Sequence, residues 1–233
     1  MGTEIDRLIE EQVNKWETSK ERRKGKKEAP MPVITVSREP GSIVTDQAQQ
    51  IAQELKLDII DSRIIHEVAK SIRMSEKIVS YLDEKTRSLL DNWVLYLGRT
   101  RFLLADEYVH HLTKVIGAIG KQGGAIIVGR GANLILPPDE TLRVRFIAPM
   151  ETKIRNMMRE VSLTEGDAKQ QVLLKEAERK NSVKENFKVN IEDPVNYDLI
   201  INTEFMGTEN IVGIIKSALK FKNIPSGRKG DRK

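Results

Sequence analysis

From residue 32 onward, short apolar runs alternate with longer stretches in which apolar residues recur at helical spacing. Val33-Ile34-Thr35-Val36 is β-branched and stops at the polar Ser37-Arg38-Glu39 and the turn pair Pro40-Gly41. Residues 45–56 then show helical periodicity. Leu57-Asp58-Ile59-Ile60 ends at Asp61-Ser62, and helix-like stretches fill 63 to about 120. Ala125-Ile126-Ile127-Val128 ends at Gly129-Arg130-Gly131, and Val144-Arg145-Phe146-Ile147 ends at Ala148-Pro149. Helical stretches follow over 150–161 and 164–182, then Leu199-Ile200-Ile201 ends at Asn202-Thr203 before a C-terminal helix over 207–221. Five such runs, each followed by helix, predict an α/β fold with a five-stranded parallel sheet and helices on both faces. The helical excursion between the second and third strands predicts a cap over the carboxyl edge of the sheet, where ligands bind in this architecture.

The ends of the chain read differently. Ile5, Leu8, Ile9, Val13 and Trp16 lie near helical spacing in a heavily charged background, which predicts an N-terminal helix running into the linker KERRKGKKEAP. The expected organisation is a charged helix and linker over 1–30, a globular domain over 31–222 and a disordered basic tail over 223–233.

Composition narrows the function classes. The 233 residues include no cysteine, so disulfides, thiolate metal sites and cysteine nucleophiles are excluded. No apolar run reaches the ~20 residues of a membrane-spanning helix, and the acidic, amphipathic start is unlike a secretory signal. A cytoplasmic protein without membrane contact is expected. The net charge of +5 suggests nucleic acid until it is located: from Lys220 onward six Lys and Arg stand against Asp231 alone, and the rest of the chain is formally neutral. The basic excess reads as a solubilising tail, and no specific nucleic-acid partner is expected; a homo-oligomer is left open.

Candidate chemistry sits at the strand ends. In SREPGSIVTD a strand, a glycine turn and a helix opening at Thr45-Asp46 could offer free amides to an anion, although many plain strand-to-helix turns look the same. Gly129-Arg130-Gly131 is more telling. Glycines weaken regular structure on both sides of an arginine whose planar fork suits phosphate or carboxylate, against the alternative of a solvated turn. Asp61-Ser62 could serve a ligand or simply cap the next helix. Arg155, Arg159, Arg179 and Lys180 flank a loop near 161–166 and could form a closing basic lid, or be solvated helix charges. The adjacent His110 and His111 make a poor metal pair, and with His66 distant no metal site is assigned to histidine. Trp93, Tyr96 and Phe102 read as core or interface.

Taken together, ITVSREPGS, IIDSRIIHEVA, IIVGRGANLIL, RFIAPMETKIR and DPVNYDLIINT resemble the cytidylate-kinase-like family of P-loop nucleoside monophosphate kinases, over about residues 32–221. The resemblance implies a core that binds ATP at the first turn, a cap over about 62–120 that holds a nucleotide or other small acceptor, and a lid over about 155–185. It implies donor-phosphate contacts from Arg38, Gly41, Ser42, Thr45 and Asp46, and acceptor contacts from Asp61, Ser62 and Arg130. Arg130 and Arg179 would be the catalytic pair, with Glu176 where the family tends to have aspartate, and Arg155, Arg159 and Lys180 would belong to the lid. ATP and Mg²⁺ are the implied cofactors; no metal ligand is assigned with certainty, though Asp46 could hold Mg²⁺.

The departures fall in the donor loop. A Walker A loop needs glycines for close backbone approach, a lysine for the phosphates and a hydroxyl for Mg²⁺. The family's Gly-Ser-Gly-Gly-Arg-type loop is already atypical, and here Ile43 and Val44 replace its later glycines while Thr45 stands at the arginine position. Arg38 is a candidate substitute. Two expectations follow: a kinase transferring the ATP γ-phosphoryl to CMP, dCMP or a related acceptor, or a catalytically impaired nucleotide-binding sensor or scaffold on the same fold.

Overall fold

The computed structural model describes residues 31–222 except Tyr81 and 102–106, together with Glu11, Asn14 and Thr18. The remainder of the predicted N-terminal helix and linker, Phe102 and the predicted tail over 223–233 lie outside the described residues.

Five strands form one sheet: β1 (Val33–Arg38), β2 (Asp58–Ile60), β3 (Ala125–Val128), β4 (Thr141–Ile147) and β5 (Leu199–Asn202), in the order β2-β3-β1-β4-β5. Every pairing is parallel, with Val36 of β1 opposite Val128 of β3 and Val144 of β4. The helices are α1 (Thr45–Leu55), α2 (Ser62–Lys70), α3 (Ile72–Ser80), α4 (Glu84–Arg101), α5 (Glu107–Gln122), α6 (Ala132–Ile135), α7 (Met150–Val161), α8 (Glu165–Phe187) and α9 (Thr208–Phe221). A 3₁₀ turn, Pro194–Asn196, precedes β5.

The near-continuous apolar runs form the central strands because both of their faces are covered. Val33 of β1 and Ile127 of β3 pack with Ile65, Leu112 and Ile116 of the cap helices, whereas Ile34 and Val36 pack with Ile51 of α1 and Ile211 and Ile215 of α9. A third, small cluster of Ile154, Met157, Ala168 and Val172 fastens α7 to α8 as a hairpin.

The structure refines several boundaries. The excursion over 63–120 divides into α2–α5, and β4 starts at Thr141, ahead of its apolar run. The last long helix continues past 182 to Phe187, which is buried and anchors its end. The short α6 and the 3₁₀ turn carry too few residues to show a period. Because β1 lies between β3 and β4 while β2 lies beyond β3, the chain leaves the centre of the sheet in both directions, and the crevice this opens lies beside the end of β1.

Candidate functional site

A cavity of about 330 Å³ opens at the ends of β1 and β3, between the cap and α8. Ser62, Arg130 and Arg179 all line it, with Arg38 beside them; Tyr108, Leu112 and Phe187 supply apolar wall. The loop after β3 builds the floor from three successive left-handed residues, Gly129, Arg130 and Gly131, with φ of 76°, 53° and 67°. Such a conformation is strained for arginine, by ~1–3 kcal/mol, and is held by the Arg130 Nε hydrogen bond to the Ser62 carbonyl at 3.1 Å. At Gly131 a Cβ would collide with the Phe187 ring, so the position admits only glycine without movement of that wall.

Arg179 of α8 reaches the same cavity, donating from Nη1 to the Arg38 carbonyl at 2.6 Å. Burial, and next the neighbouring Arg38, pull its pKa down to about 10 while Glu176 opposes them, so the guanidinium keeps its charge at neutral pH. Arg38 and Arg179 also line a small adjoining cavity of about 110 Å³, together with Lys153, Arg145 and Lys180. Glu39 and Glu176 pair with two of these cations. Glu39 meets Lys153 at 3.1 Å and Arg145 at 3.5 Å, and Glu176 meets Lys153 at 2.6 Å. Burial works against the Lys153 charge, but the hydrogen bonds it donates to Glu176 and Glu39 outweigh it and hold the ammonium above its ordinary pKa. Arg145 also donates to Ser37 Oγ at 3.1 Å and lies 5.6 Å over the Tyr197 ring.

The loop between β1 and α1 has a different character. Gly41 has φ 73°, and a Cβ there would strike the Lys153 carbonyl. Ser42 is buried; its hydroxyl donates to the Glu39 carbonyl at 2.8 Å and lies 3.2 Å from the Phe146 carbonyl, and its own carbonyl accepts from Thr203. Ile43 points into the core. The backbone N–H of Thr45, at the start of α1, donates to Glu160 Oε1 of α7 at 2.6 Å, and Asn156 donates to the Gly41 carbonyl at 2.8 Å. A carboxylate of the chain itself thus holds the place at which a helix N-terminus receives an anion. The Ser42 hydroxyl, expected at the donor phosphates, is bound to backbone. Asp46 is exposed, and among the described residues no group of three or more metal-ligating side chains gathers. As placed, these residues do not fit Mg²⁺·ATP.

The structure therefore brings together Ser62, Arg130, Arg179 and Arg38, but not every expected residue. Asp61 does not line the 330 Å³ cavity; it caps α2, accepting from the Arg63 N–H at 2.7 Å. Arg155 and Arg159 are exposed on α7 and line neither cavity; Arg155 donates to Thr152 of its own helix. Lys180 lines only the smaller cavity and pairs with Glu192 at 2.8 Å. Trp93 packs against the core and donates to the Ile135 carbonyl at 2.9 Å, with Tyr96 stacked on it. The residues that sequence reasoning missed are Glu39, Arg145 and Lys153. The signal was present for Arg145, a charge inside an apolar strand that packs on both faces.

A five-stranded parallel sheet in the order 2-3-1-4-5, with helices on both faces and an arginine-lined crevice beside the end of β1, defines the class of P-loop kinase folds. Within it, the model of the cytidylate kinase-like family matches residues 33–205, and the chain belongs to that family. It is 25% identical over 193 residues to a cytidylate kinase from Methanocaldococcus jannaschii, covering 80% of this chain and 97% of that protein. A stretch of 112 residues is 32% identical to part of a uronate isomerase from Corynebacterium glutamicum, covering 45% of this chain but only 22% of that protein. A crystal structure of an uncharacterized protein from Eubacterium ventriosum superposes with a TM-score of 0.64 at 18% identity, covering 82% of this chain and 99% of that one, a likeness of fold alone. Among the described residues no helix is long and apolar enough to cross a membrane.

Proposed function

We propose that the chain binds a nucleoside monophosphate, CMP or dCMP by family kinship, in the 330 Å³ cavity, and that its donor side is closed by its own side chains. The observation that carries this is the asymmetry between the two strand-end loops. Arg130 and Arg179 front one shared cavity from elements far apart in sequence, whereas the donor loop has Ser42 turned inward, Ile43 buried and the Thr45 amide on Glu160. In this reading the two guanidinium groups take the acceptor phosphate, Ser62 lies alongside it, and Tyr108, Leu112 and Phe187 enclose the nucleoside.

A second reading, an ATP-dependent kinase for the same acceptor, is supported by the cations shared between the two cavities. Phosphoryl transfer asks chiefly for positioning and positive charge around the equatorial oxygens. Arg38, Arg145, Lys153 and Arg179 gather that charge beside the donor loop. Activity would then require Glu160 to leave α1, with Arg38 serving in place of the missing lysine.

A thermal-shift titration with CMP, dCMP, AMP, ATP and ATP–Mg²⁺, on the native chain and on Arg130→Ala, separates these readings. A ligand at 100 times its Kd contributes ~2.7 kcal/mol, a rise in Tm of about 5–10 °C for a domain of this size. The proposal expects that rise with a pyrimidine monophosphate, its loss in Arg130→Ala, and none with ATP–Mg²⁺. Stabilisation by ATP–Mg²⁺ with ADP release dependent on the acceptor would instead establish the kinase. A response to neither would refute both.

A further inference from the structure

The face of β1 that looks toward the cap carries a polar group with no part yet in the site. Alternate residues of a strand share a face. On this one Val33 packs with the cap helices, and Ser37, four residues on, lines the 330 Å³ cavity. Ser37 is only 7% exposed, and the two side chains that meet it lie as deep, Arg145 at 5% and Tyr197 at 7%.

The protons of this trio leave one donor over. Arg145, opposite Ser37 in the register of β1 and β4, donates from Nη1 to Ser37 Oγ at 3.1 Å. Tyr197 has a single hydroxyl proton, and the Ile191 carbonyl accepts it at 2.7 Å. The Tyr197 and Ser37 oxygens are 3.4 Å apart, longer than the ~2.5–3.0 Å of an ordinary O–H···O bond. The Ser37 hydroxyl thus accepts from a cation and holds its own proton ready for a better acceptor. A guanidinium on its oxygen polarises the O–H and makes it a stronger donor.

The backbone on either side of Ser37 anchors the two cations that front the cavity. The Val36 carbonyl accepts the Gly129 N–H at 2.8 Å and so holds the loop that carries Arg130. The Arg38 carbonyl accepts from Arg179 at 2.6 Å. Ser37 therefore lies on the cavity floor between the attachments of both guanidinium groups.

We propose that Ser37 is a phosphate-binding residue, donating its hydroxyl proton to a phosphoryl oxygen held by Arg130 and Arg179, and that Arg145 is the positioning residue that orients and polarises it. The role rests on the monophosphate reading above and gives that phosphate a neutral, buried donor on the sheet itself.

Calorimetry with CMP and with cytidine tests it. Ser37→Ala should weaken CMP about tenfold, the effect of one hydrogen bond to a charged group. Ser37→Thr keeps the hydroxyl and should recover most of that loss. Cytidine, which lacks the phosphate, should bind the native chain and Ser37→Ala alike. Thr35→Val is the control: Thr35 shares the face, is 1% exposed, and its hydroxyl has no hydrogen-bond partner among the described residues. Its removal should leave CMP affinity unchanged. Arg145→Lys should weaken CMP about threefold in the native chain and not at all in Ser37→Ala, because it acts through that hydroxyl. Equal CMP affinity in Ser37→Ala overturns the role of Ser37 and leaves the monophosphate reading standing. So does a loss that Thr35→Val shares, or one that cytidine shares, since the hydroxyl then acts through packing. Equal losses from Arg145→Lys in both backgrounds overturn the positioning role of Arg145. A native chain that binds neither CMP nor dCMP refutes the reading beneath, and the Ser37 contact with it.

Discussion

The loop after β3 and the loop after β1 start from the same ingredients, glycine and polar residues at the end of a buried strand, and finish as opposites. Gly129-Arg130-Gly131 is spread open by three positive φ angles and presents Arg130 to a cavity. The Glu39–Val44 loop is folded inward, with Ser42 and Ile43 buried and the first amide of α1 held by Glu160. A phosphate cradle depends on donors that are still unspent, and the second loop has spent the Ser42 hydroxyl and the Thr45 amide.

The contrast can be broken or sharpened in four ways, and the largest effect falls on binding. Arg130→Ala should weaken the pyrimidine monophosphate about 100-fold, or ~3 kcal/mol, because it strips a partly buried partner from the phosphate. Calorimetry measures this, and equal affinity would move the phosphate elsewhere.

Next come the glycines. Gly41→Ala drives a Cβ into the Lys153 carbonyl, which is backbone, and should cost ~2–3 kcal/mol; Gly131→Ala meets the Phe187 ring, which can turn, and should cost ~1–2 kcal/mol while altering the cavity wall. Denaturant melts that reverse this order would contradict the two environments.

Glu160→Gln removes the charge from the α1 terminus, at a cost of ~0.5–1 kcal/mol of stability. It should raise ATP affinity by up to about tenfold, read by the same thermal shift; no change in ATP response would show that Glu160 is not what closes the donor side.

The smallest effect is a titration. Burial first, then Arg130 and Lys70, hold the His66 pKa below its ordinary 6.5, against the opposing pull of Glu67. The folded state therefore favours the neutral ring. Its contribution is complete above that ordinary value and is lost as pH falls through it toward the folded pKa. A phosphate on Arg130 should move the His66 titration upward, as should Arg130→Ala, and ring-proton NMR would record both.

The sheet was legible from sequence because five apolar runs that stop at polar or glycine-containing ends leave few alternatives. Arg130 was legible because glycines on both sides deny it a packing role. The inward turn of Ser42 was not, since a serine in such a loop reads equally as a ligand or as a brace for the Glu39 and Phe146 carbonyls. Nor was the Thr45–Glu160 contact, which joins residues 115 apart in sequence. Arg155 and Arg159 were expected at the lid because they are basic and near a loop, but helical phase decides where such side chains point, and theirs lie exposed. Asp61 had two readings, and the cap is the one the backbone shows.

The hairpin of α7 and α8 carries a restraint at each end: Glu160 rests on the first turn of α1 and Arg179 on the Arg38 carbonyl, with Lys153 and Glu176 pinning the two helices together. It is a lever with two latches. An anion that displaced Glu160 would tilt the bar and loosen Arg179, and a ligand that drew Arg179 forward would weaken the hold of Glu160 by the same factor, since such coupling is reciprocal. The order in which two ligands arrive would then change the path but not the sum, and with the cavity beside Arg179 unfilled the hold of Glu160 on α1 would be at its firmest.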